Sequence, residues 1–533
     1  MKFSFTASVC IAPLLALSVL STPALAQPDP VATQITGYWV FGNTLLPTDV
    51  VLAVVEGRVG RMGFADIQKT AQLLQAKYRE YGYGAVIVQV PDQTLSQGVV
   101  RLEVVEGKLS QVQVTGNQQF SKGNIARSLP ALEPGATPSL FALDRQLLMV
   151  NENPAKAVRV VFQPGEKHGQ VEAMAIVEEQ PVERWNVSFD NSGNDATGNY
   201  RLSLGYLHAN VDDRDTQLSA RAVTSPTDPS QVAILSASLK RPLYSRAAFV
   251  EVSALASSTR NTPTQTGAGE LRFSGQGNSV GARGIWLVPF LGETKHQLSA
   301  GVESRSYTNT CSLGSFGAAG CGSAGASVDV MPLTLGYLLQ KPGQWNASVQ
   351  WAHNLPWTPQ TSDDARFHAA RSKARRDYQF LRYSFNGSLP VTSVWSAVAR
   401  LEGQWSDQPL VGAEQFGAGG ANSVRGYPER VISGDAGAVA SLELRAPWGF
   451  WQAGSESDVV LGVFADAGHV ALQGGGSCAT GRAFCDISSV GVSTLWKASP
   501  RTLVRADLGR AGEAAADTKV GDWSLHVNLT HNF

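Results

Sequence analysis

The sequence predicts a mainly β fold: an antiparallel transmembrane β-barrel of about sixteen strands, preceded by two small α/β modules. Three observations lead there. From Arg184 to the end the chain shows segments of roughly ten residues in which apolar and polar side chains alternate, separated by Gly, Asn, Asp, Ser and Pro clusters. No stretch after Gln27 approaches the roughly 20 consecutive apolar residues of a membrane helix, so a chain that spans a membrane does so as a barrel. Between residues 33 and 180 the texture is instead mixed helix and strand, and the mixture occurs twice.

Composition narrows the class. Of 533 residues, 43% are apolar and only 16% charged, with 53 glycines and 12 tryptophans, a low charge and high glycine content for a soluble protein. A net charge of -1 argues against a nucleic-acid partner, which calls for a basic face.

Lys2, the apolar run from Val9 to Leu20 and Ala24-Leu25-Ala26 before Gln27 have the basic start, apolar core and small-residue cleavage site of a secretory signal peptide. Residues 1–26 are therefore expected to be removed. Cys10 lies inside the apolar run, which argues against a lipid-anchored N-terminus. Residues 27–32 form a short lead-in.

In the first module, residues 33–107, a strand is expected over 34–41 and a short helix over 47–55. Phe64, Ile67, Ala71, Leu74 and Tyr78 share one face at helical spacing, so 63–81 should form an amphipathic helix, ended by Gly82 and Gly84. Strands follow over 85–90 and 99–105. The second module, residues 108–180, repeats the plan. Its strand over 112–115 leads into Gly116-Asn117 as Val40-Phe41 leads into Gly42-Asn43. Helices over 121–129 and 140–151, the latter with Leu143, Leu147 and Val150 inward, precede strands over 158–163 and 170–177.

At Gln180-Pro181 the texture changes, and residues 181–533 are assigned to the barrel. Leu202, Leu204 and Tyr206 lie opposite Arg201, Ser203 and Gly205. Trp395, Ala397, Ala399, Leu401 and Trp405 lie opposite Arg400, Glu402 and Gln404. Trp523, Leu525, Val527, Leu529 and Phe533 lie opposite Ser524, His526, Asn528 and Thr530. This is the apolar-out, polar-in ladder of a membrane barrel, and each strand with its connection averages about 22 residues. Trp185, Trp345, Trp351, Trp395, Trp405 and Trp523 near segment ends suit interfacial girdles. The one helical pattern in this region is a charged patch at 363–376.

Four cysteines follow the cleavage site, Cys311 with Cys321 and Cys478 with Cys485, each pair in a short polar segment. Two local disulfides in an oxidising compartment fit this pattern. Zinc is the rival reading, but neither loop contains a histidine and Cys-x2-Cys spacing is absent. The scattered histidines form no metal-ligand spacing, and no cofactor is expected. Gly277-Asn278-Ser279-Val280-Gly281 matches a hydrolase elbow, yet Ser279 runs straight into the alternating Ala282-Arg283-Gly284-Ile285-Trp286 rather than a strand-to-helix turn. No catalytic residue is assigned.

A glycine-rich loop within residues 412–434 carries Val424-Arg425-Gly426-Tyr427. Downstream, Val459, Leu461, Val463, Ala465 and Ala467 form a uniformly apolar, lipid-facing side, so Asp466 falls in phase with Val460, Gly462 and Phe464 on the lumenal side. A lumenal carboxylate needs a partner, and Arg425 on a loop folded inward can supply charge-assisted hydrogen bonds. Glu443, lumenal by the alternation over 436–445, is a second candidate acceptor.

Two modules, then a barrel carrying Val424-Arg425-Gly426-Tyr427, Phe464-Ala465-Asp466-Ala467-Gly468 and a terminal Phe533, resemble the TpsB transporters of two-partner secretion, in the superfamily of outer-membrane barrels with periplasmic POTRA domains. Tyr78-Arg79-Glu80-Tyr81-Gly82-Tyr83, Pro91-Asp92-Gln93, Val105-Glu106-Gly107, Asp190-Asn191-Ser192-Gly193 and Thr197-Gly198 add to the resemblance. It implies POTRA modules at 33–107 and 108–180 that capture an unfolded exoprotein in the periplasm, and a monomeric barrel in outer-membrane lipid that passes it outward. It also implies Arg425, Asp466 and Phe464 to Gly468 at the pore and Phe533 as the terminal barrel signal. No nucleotide is expected in a periplasm without ATP. Two other readings stay open. A barrel-assembly insertase of the same superfamily would favour more than two modules, and a passive porin would have no use for them. Some family members carry an N-terminal plug helix; with cleavage after Ala26, about six residues precede Thr33, too few for one.

Overall fold

The computed structural model describes residues 32–261, 263–291, 294–357, 363–449, 458–478 and 481–533. The expected signal peptide and residues 27–31 of the lead-in lie outside the described residues. The chain divides into two compact units, one ending at Gly107 and one from Lys108 to Phe533.

In the first unit, the strands Gly37–Phe41 and Val99–Glu106 run parallel, and Val86–Gln89 completes the sheet antiparallel to Val99–Glu106. The helix Phe64–Glu80 lays Ile67, Ala71, Leu74 and Tyr78 on Val100, Leu102 and Val104. Phe64, expected on that inward face, is 59% exposed. It opens the helix, where the first turn has not yet reached the sheet. Gly82, at φ 87°, ends the helix by letting the Tyr83 N–H reach back to Tyr78 O at 2.8 Å. The strand expected over 34–41 is broken at Thr36, whose N–H and Oγ1–H go to Gly98 O and Gln97 O. The leading piece, Thr33–Ile35, pairs instead with Gly60–Met62. That pairing has no signature in periodicity.

The second module repeats this plan. Lys108–Thr115 runs parallel to a central Gln170–Glu179, with Lys156–Pro164 antiparallel on the other side. The helices are Lys122–Ser128 and Leu140–Val150. The two Gly-Asn corners have matching surroundings. A Cβ on Gly42 would sit 2.2 Å from Val104 O, and one on Gly116 2.2 Å from Val177 O. Asn43 and Asn117 each cap the following turn at 2.9 Å, to Leu46 O and Phe120 O. Glu106 accepts from Thr44 N and Leu45 N, as Glu179 does from Gln118 N, Gln119 N and Phe120 N.

This module shares its core with the barrel's near turns. Ala209 belongs to the buried cluster of Leu109, Phe120 and Ile125, and Tyr244 packs on it. Lys156 Nζ lies 2.8 Å from an Asp215 carboxylate oxygen, both side chains shielded from solvent. Burial pushes the Lys156 ammonium below its ordinary range, and Asp215 opposes that shift.

Among the described residues, sixteen long antiparallel strands, from Glu183–Asp190 to Trp523–Asn532, close the barrel, with the short pieces Thr264–Thr266 and Val328–Val330 added to it. Leu202 and Leu204 face outward while Ser203 is buried inward beside Ser188. Ser279 lies inside the long strand Gly269–Leu291, opposite Arg305. Cys311–Cys321 and Cys478–Cys485 are both bonded. Within the charged patch at 363–376, the helix covers only Asp364–Ala370.

The closing seam is short, running from Asn528 opposite Asp190 to Asn532 opposite Asn186. Asn191 extends it with its side chain, donating to Leu525 O at 2.7 Å and accepting from Val527 N at 2.8 Å. The amide thus stands in for one more ladder residue. Asn191→Ala should remove two hydrogen bonds of roughly 1 kcal/mol each and lower the temperature at which the barrel loses its compact migration in detergent gels. An unchanged transition would show the seam does not depend on this side chain.

Candidate functional site

The segment between the strands Ser396–Trp405 and Ala436–Pro447 leaves the barrel at the end opposite the turns that pack on the second module and turns back into the lumen. Phe416–Ala418 and Ile432–Gly434 pair as a short antiparallel hairpin. Gly419, Gly420 and Gly426 hold φ values of 111°, 107° and 91°, which side-chain-bearing residues resist, so the tip can reverse sharply.

At that tip Arg425 is 1% exposed, among the largest fully buried side chains. Its Nε donates to Asp466 Oδ2 at 2.8 Å and its Nη2 to Oδ1 at 2.8 Å, a bidentate pair. The backbone N–H of Arg425 adds a third bond to Asp466 Oδ2 at 3.0 Å. Nη1 reaches Glu443 Oε2 at 2.8 Å and Asp507 Oδ1 at 3.4 Å, while Nη2 also meets Ser441 Oγ at 3.2 Å. The Phe464 ring lies against the guanidinium face, 3.4 Å from centroid to Cζ. All the N–H groups of the guanidinium are therefore engaged.

The acids are shared. Glu443 also accepts from Arg445 Nε and Ser493 Oγ, each at 2.6 Å, and Asp507 pairs with Arg505 Nε at 2.7 Å. Three carboxylates and three guanidiniums thus pair, with Arg425 and the acids buried and Arg445 and Arg505 partly open to the lumen, and such pairing is the condition under which buried charges are tolerated.

Flanking residues fit the wall by shape. Val424 is buried with Ala418, Tyr427, Val470 and Ile487. A Cβ on Gly468 would come within 2.9 Å of Val424 Cγ2, so that glycine makes room for the loop. The Tyr427 hydroxyl lies 3.0 Å from Ser488 O and 2.9 Å from Glu513 O, and accepts from Glu513 N at 3.0 Å. The Gly426 N–H donates to His526 Nε2 at 3.0 Å, which requires the tautomer with an unprotonated Nε2.

The structure therefore brings together Val424, Arg425, Gly426, Tyr427, Asp466, Glu443, Phe464 and Gly468. Phe533 lies elsewhere, at the seam, its N–H donating to Trp185 O at 2.9 Å. Asp507, Gly509 and His526 were not assigned to the site from sequence. Counting phase along Thr502–Ala511 and Trp523–Asn532 places all three on the lumenal side, but nothing in the sequence says that the loop tip reaches them. A guanidinium with no free N–H is not built to bind a small ligand; this one holds a loop across a channel.

The model of the family described as haemolysin secretion/activation protein ShlB/FhaC/HecB matches residues 175–484, and that of the ShlB-type POTRA domain matches residues 33–107. The chain is 26% identical over 412 residues to the outer membrane transporter CdiB of Dickeya dadantii, covering 74% of this chain and 68% of that protein. It is 24% identical over 188 residues to the heme/hemopexin transporter protein HuxB of Haemophilus influenzae, covering 34% of this chain and 33% of that one. The solved structure of CdiB from Escherichia coli has the same fold, with a TM-score of 0.77 at 18% identity, covering 97% of this chain and 93% of that one.

Proposed function

The chain belongs to the haemolysin secretion/activation family ShlB/FhaC/HecB, whose members are two-partner secretion transporters of the outer membrane, and on that premise we propose how it works. The module at 33–107 and its structural repeat at 108–180 act as POTRA domains that hold an unfolded exoprotein in the periplasm. Each has a three-stranded sheet whose outer strands are Gly37–Phe41 and Val86–Gln89 in the first and Lys108–Thr115 and Lys156–Pro164 in the second, Leu109 at the start of Lys108–Thr115 being bonded to Gly135 and Ala136. An extended passenger can add to such an edge as a further strand, bonding through its backbone and so with little demand on sequence. The barrel, a single copy in outer-membrane lipid, passes the passenger outward, and folding outside makes the step irreversible. The chain itself catalyses no covalent reaction. Phe533 serves as the terminal signal for barrel assembly.

The observation that carries this reading is the buried Arg425, which keeps a hairpin across the lumen through hydrogen bonds and ion pairs rather than covalent links. A passive porin has no need of such a lock. Deleting residues 33–107 is the clean test of capture, because the second module shares its core with the barrel and the first is a separate unit. Export of the cognate exoprotein should fall to background while the barrel reaches the membrane in normal amount. Undiminished export would sink the capture role, and a loss of other outer-membrane proteins with export intact would point to an insertase.

A further inference from the structure

The inward hairpin is held at its tip by Arg425, and its root is held just as firmly by a different carboxylate. Asp435 stands between the hairpin strand Ile432–Gly434 and the barrel strand Ala436–Pro447, and it is 0% exposed. Its two oxygens accept from four residues. Oδ1 takes Leu410 N at 2.8 Å and Gln415 Nε2 at 3.2 Å, from the stretch leading into the hairpin. Oδ2 takes Gln473 N at 2.7 Å, just past the strand Val459–Ala471 that carries Asp466. Arg371 closes the set as a fork, Nη2 to Oδ2 at 2.7 Å and Nη1 to Oδ1, with Nη1 also donating to Leu410 O at 2.8 Å.

Arg371 belongs to neither the hairpin nor the wall. It follows the helix Asp364–Ala370, on the connection between the strands Trp345–Asn354 and Gln379–Pro390 at the outer end of the barrel. The stretch 363–378 of this connection is folded inward. Phe367, Ala374 and Tyr378 are buried with Val328, Val330 and Phe380 of the wall and with Leu410 and Val411 at the hairpin root. A second tie runs alongside: Glu414, also fully buried, accepts from Arg305 Nη1 at 3.0 Å and Tyr307 Oη at 3.2 Å.

We propose that Asp435 and Arg371 are positioning residues for transport: their fork fastens the helical cap 363–378, which lies at the outer mouth, to the root of the inward hairpin, so that cap and hairpin leave the channel together. The inference rests on the translocase reading above, since only a passing chain requires both obstructions to clear. A guanidinium shared between a carboxylate and a carbonyl of the hairpin root gives the two elements one common release. A cap attached only through Phe367 and its apolar neighbours could lift while the hairpin stayed, leaving a passenger stalled beneath it.

The test uses the full chain in planar bilayers, with no passenger, so that its outcome is independent of whether export occurs. Arg371→Gln leaves Leu410 N and Gln473 N on Asp435 but removes the cap's charged tie. The time spent in partly open states, with the cap lifted and the hairpin still seated, should rise roughly ten- to a hundredfold, the effect of losing a charge-assisted pair. Arg371→Lys, which keeps the charge but not the fork, should fall between the parent and Arg371→Gln. A purely structural role would instead lower the amount of compact barrel in gels and leave the conductance of each inserted channel unchanged. Parental conductance in compact Arg371→Gln barrels overturns the proposal. Should that variant yield no compact barrel, a chain with residues 363–376 replaced by a Gly-Ser linker decides: open channels support a cap over the mouth, and parental conductance overturns it.

Discussion

Arg425→Ala abolishes export while the barrel remains assembled in the membrane: that is the expected result, and the burial of the guanidinium sets its size. The substitution leaves Asp466, Glu443 and Asp507 facing one another without the cation that bonds all three, while Arg445 and Arg505 stay on Glu443 and Asp507. Breaking a buried pair by removing one partner costs about 3–5 kcal/mol, and every 1.4 kcal/mol or so is a tenfold change in an equilibrium. The docked hairpin should therefore lose a hundredfold or more of its population relative to undocked forms. The wall strands pair through their backbones and keep the barrel closed. The measurement is secreted exoprotein beside heat-modifiable barrel on the same samples. Normal secretion would show that the docked hairpin has no part in transport.

Asp466→Asn should do less harm. One amide oxygen still faces the Arg425 donors, while the amide nitrogen opposes them, so part of the bidentate pair is lost. Glu443 and Asp507 stay within reach of Nη1. Partial export is expected from this variant, and export as poor as that of Arg425→Ala would mean that Asp466 alone carries the lock.

What the sequence shows of this molecule and what it hides have a common physical cause. A barrel strand meets lipid on one side and lumen on the other, so each side chain reports its own environment, and phase alone puts Asp466 and Glu443 inside. The same rule covers Asp507 and His526, yet their partner is the loop tip, and no local pattern records where a loop lands. The module repeat is legible because its Gly-Asn corners recur in both copies. Thr33–Ile35 is not, because three residues are too few to show a period and their partner strand is equally short. The cap around Phe367 is hidden for another reason. Its apolar residues are few and lie among Asp363, Arg366, Arg371 and Arg375, so the segment reads as a solvated patch until the barrel mouth surrounds it.

Gly509 offers the sharpest test of whether the tip must seat against the wall. It reads as an ordinary strand glycine between Leu508 and Arg510. A Cβ there would lie 2.7 Å from Gly426 N and 2.9 Å from both Arg425 C and Gly426 Cα. These are backbone atoms, which cannot swing aside as a flexible side chain would. The wall cannot recoil either, since Gly509 is paired with Gly491 on one side and Ser524 on the other. The loop must therefore withdraw, taking Gly426 N from His526 Nε2 and drawing Arg425 away from Asp466. Gly509→Ala should reduce export severely and Gly509→Val should abolish it, with the barrel compact in both, because the added atoms point into the lumen and leave the ladder intact. Export from Gly509→Val at the parental level would mean that the tip need not rest where the structure places it, even if Arg425→Ala is inactive. Loss of export in both variants places the requirement on the seated loop rather than on the charge of Arg425 alone.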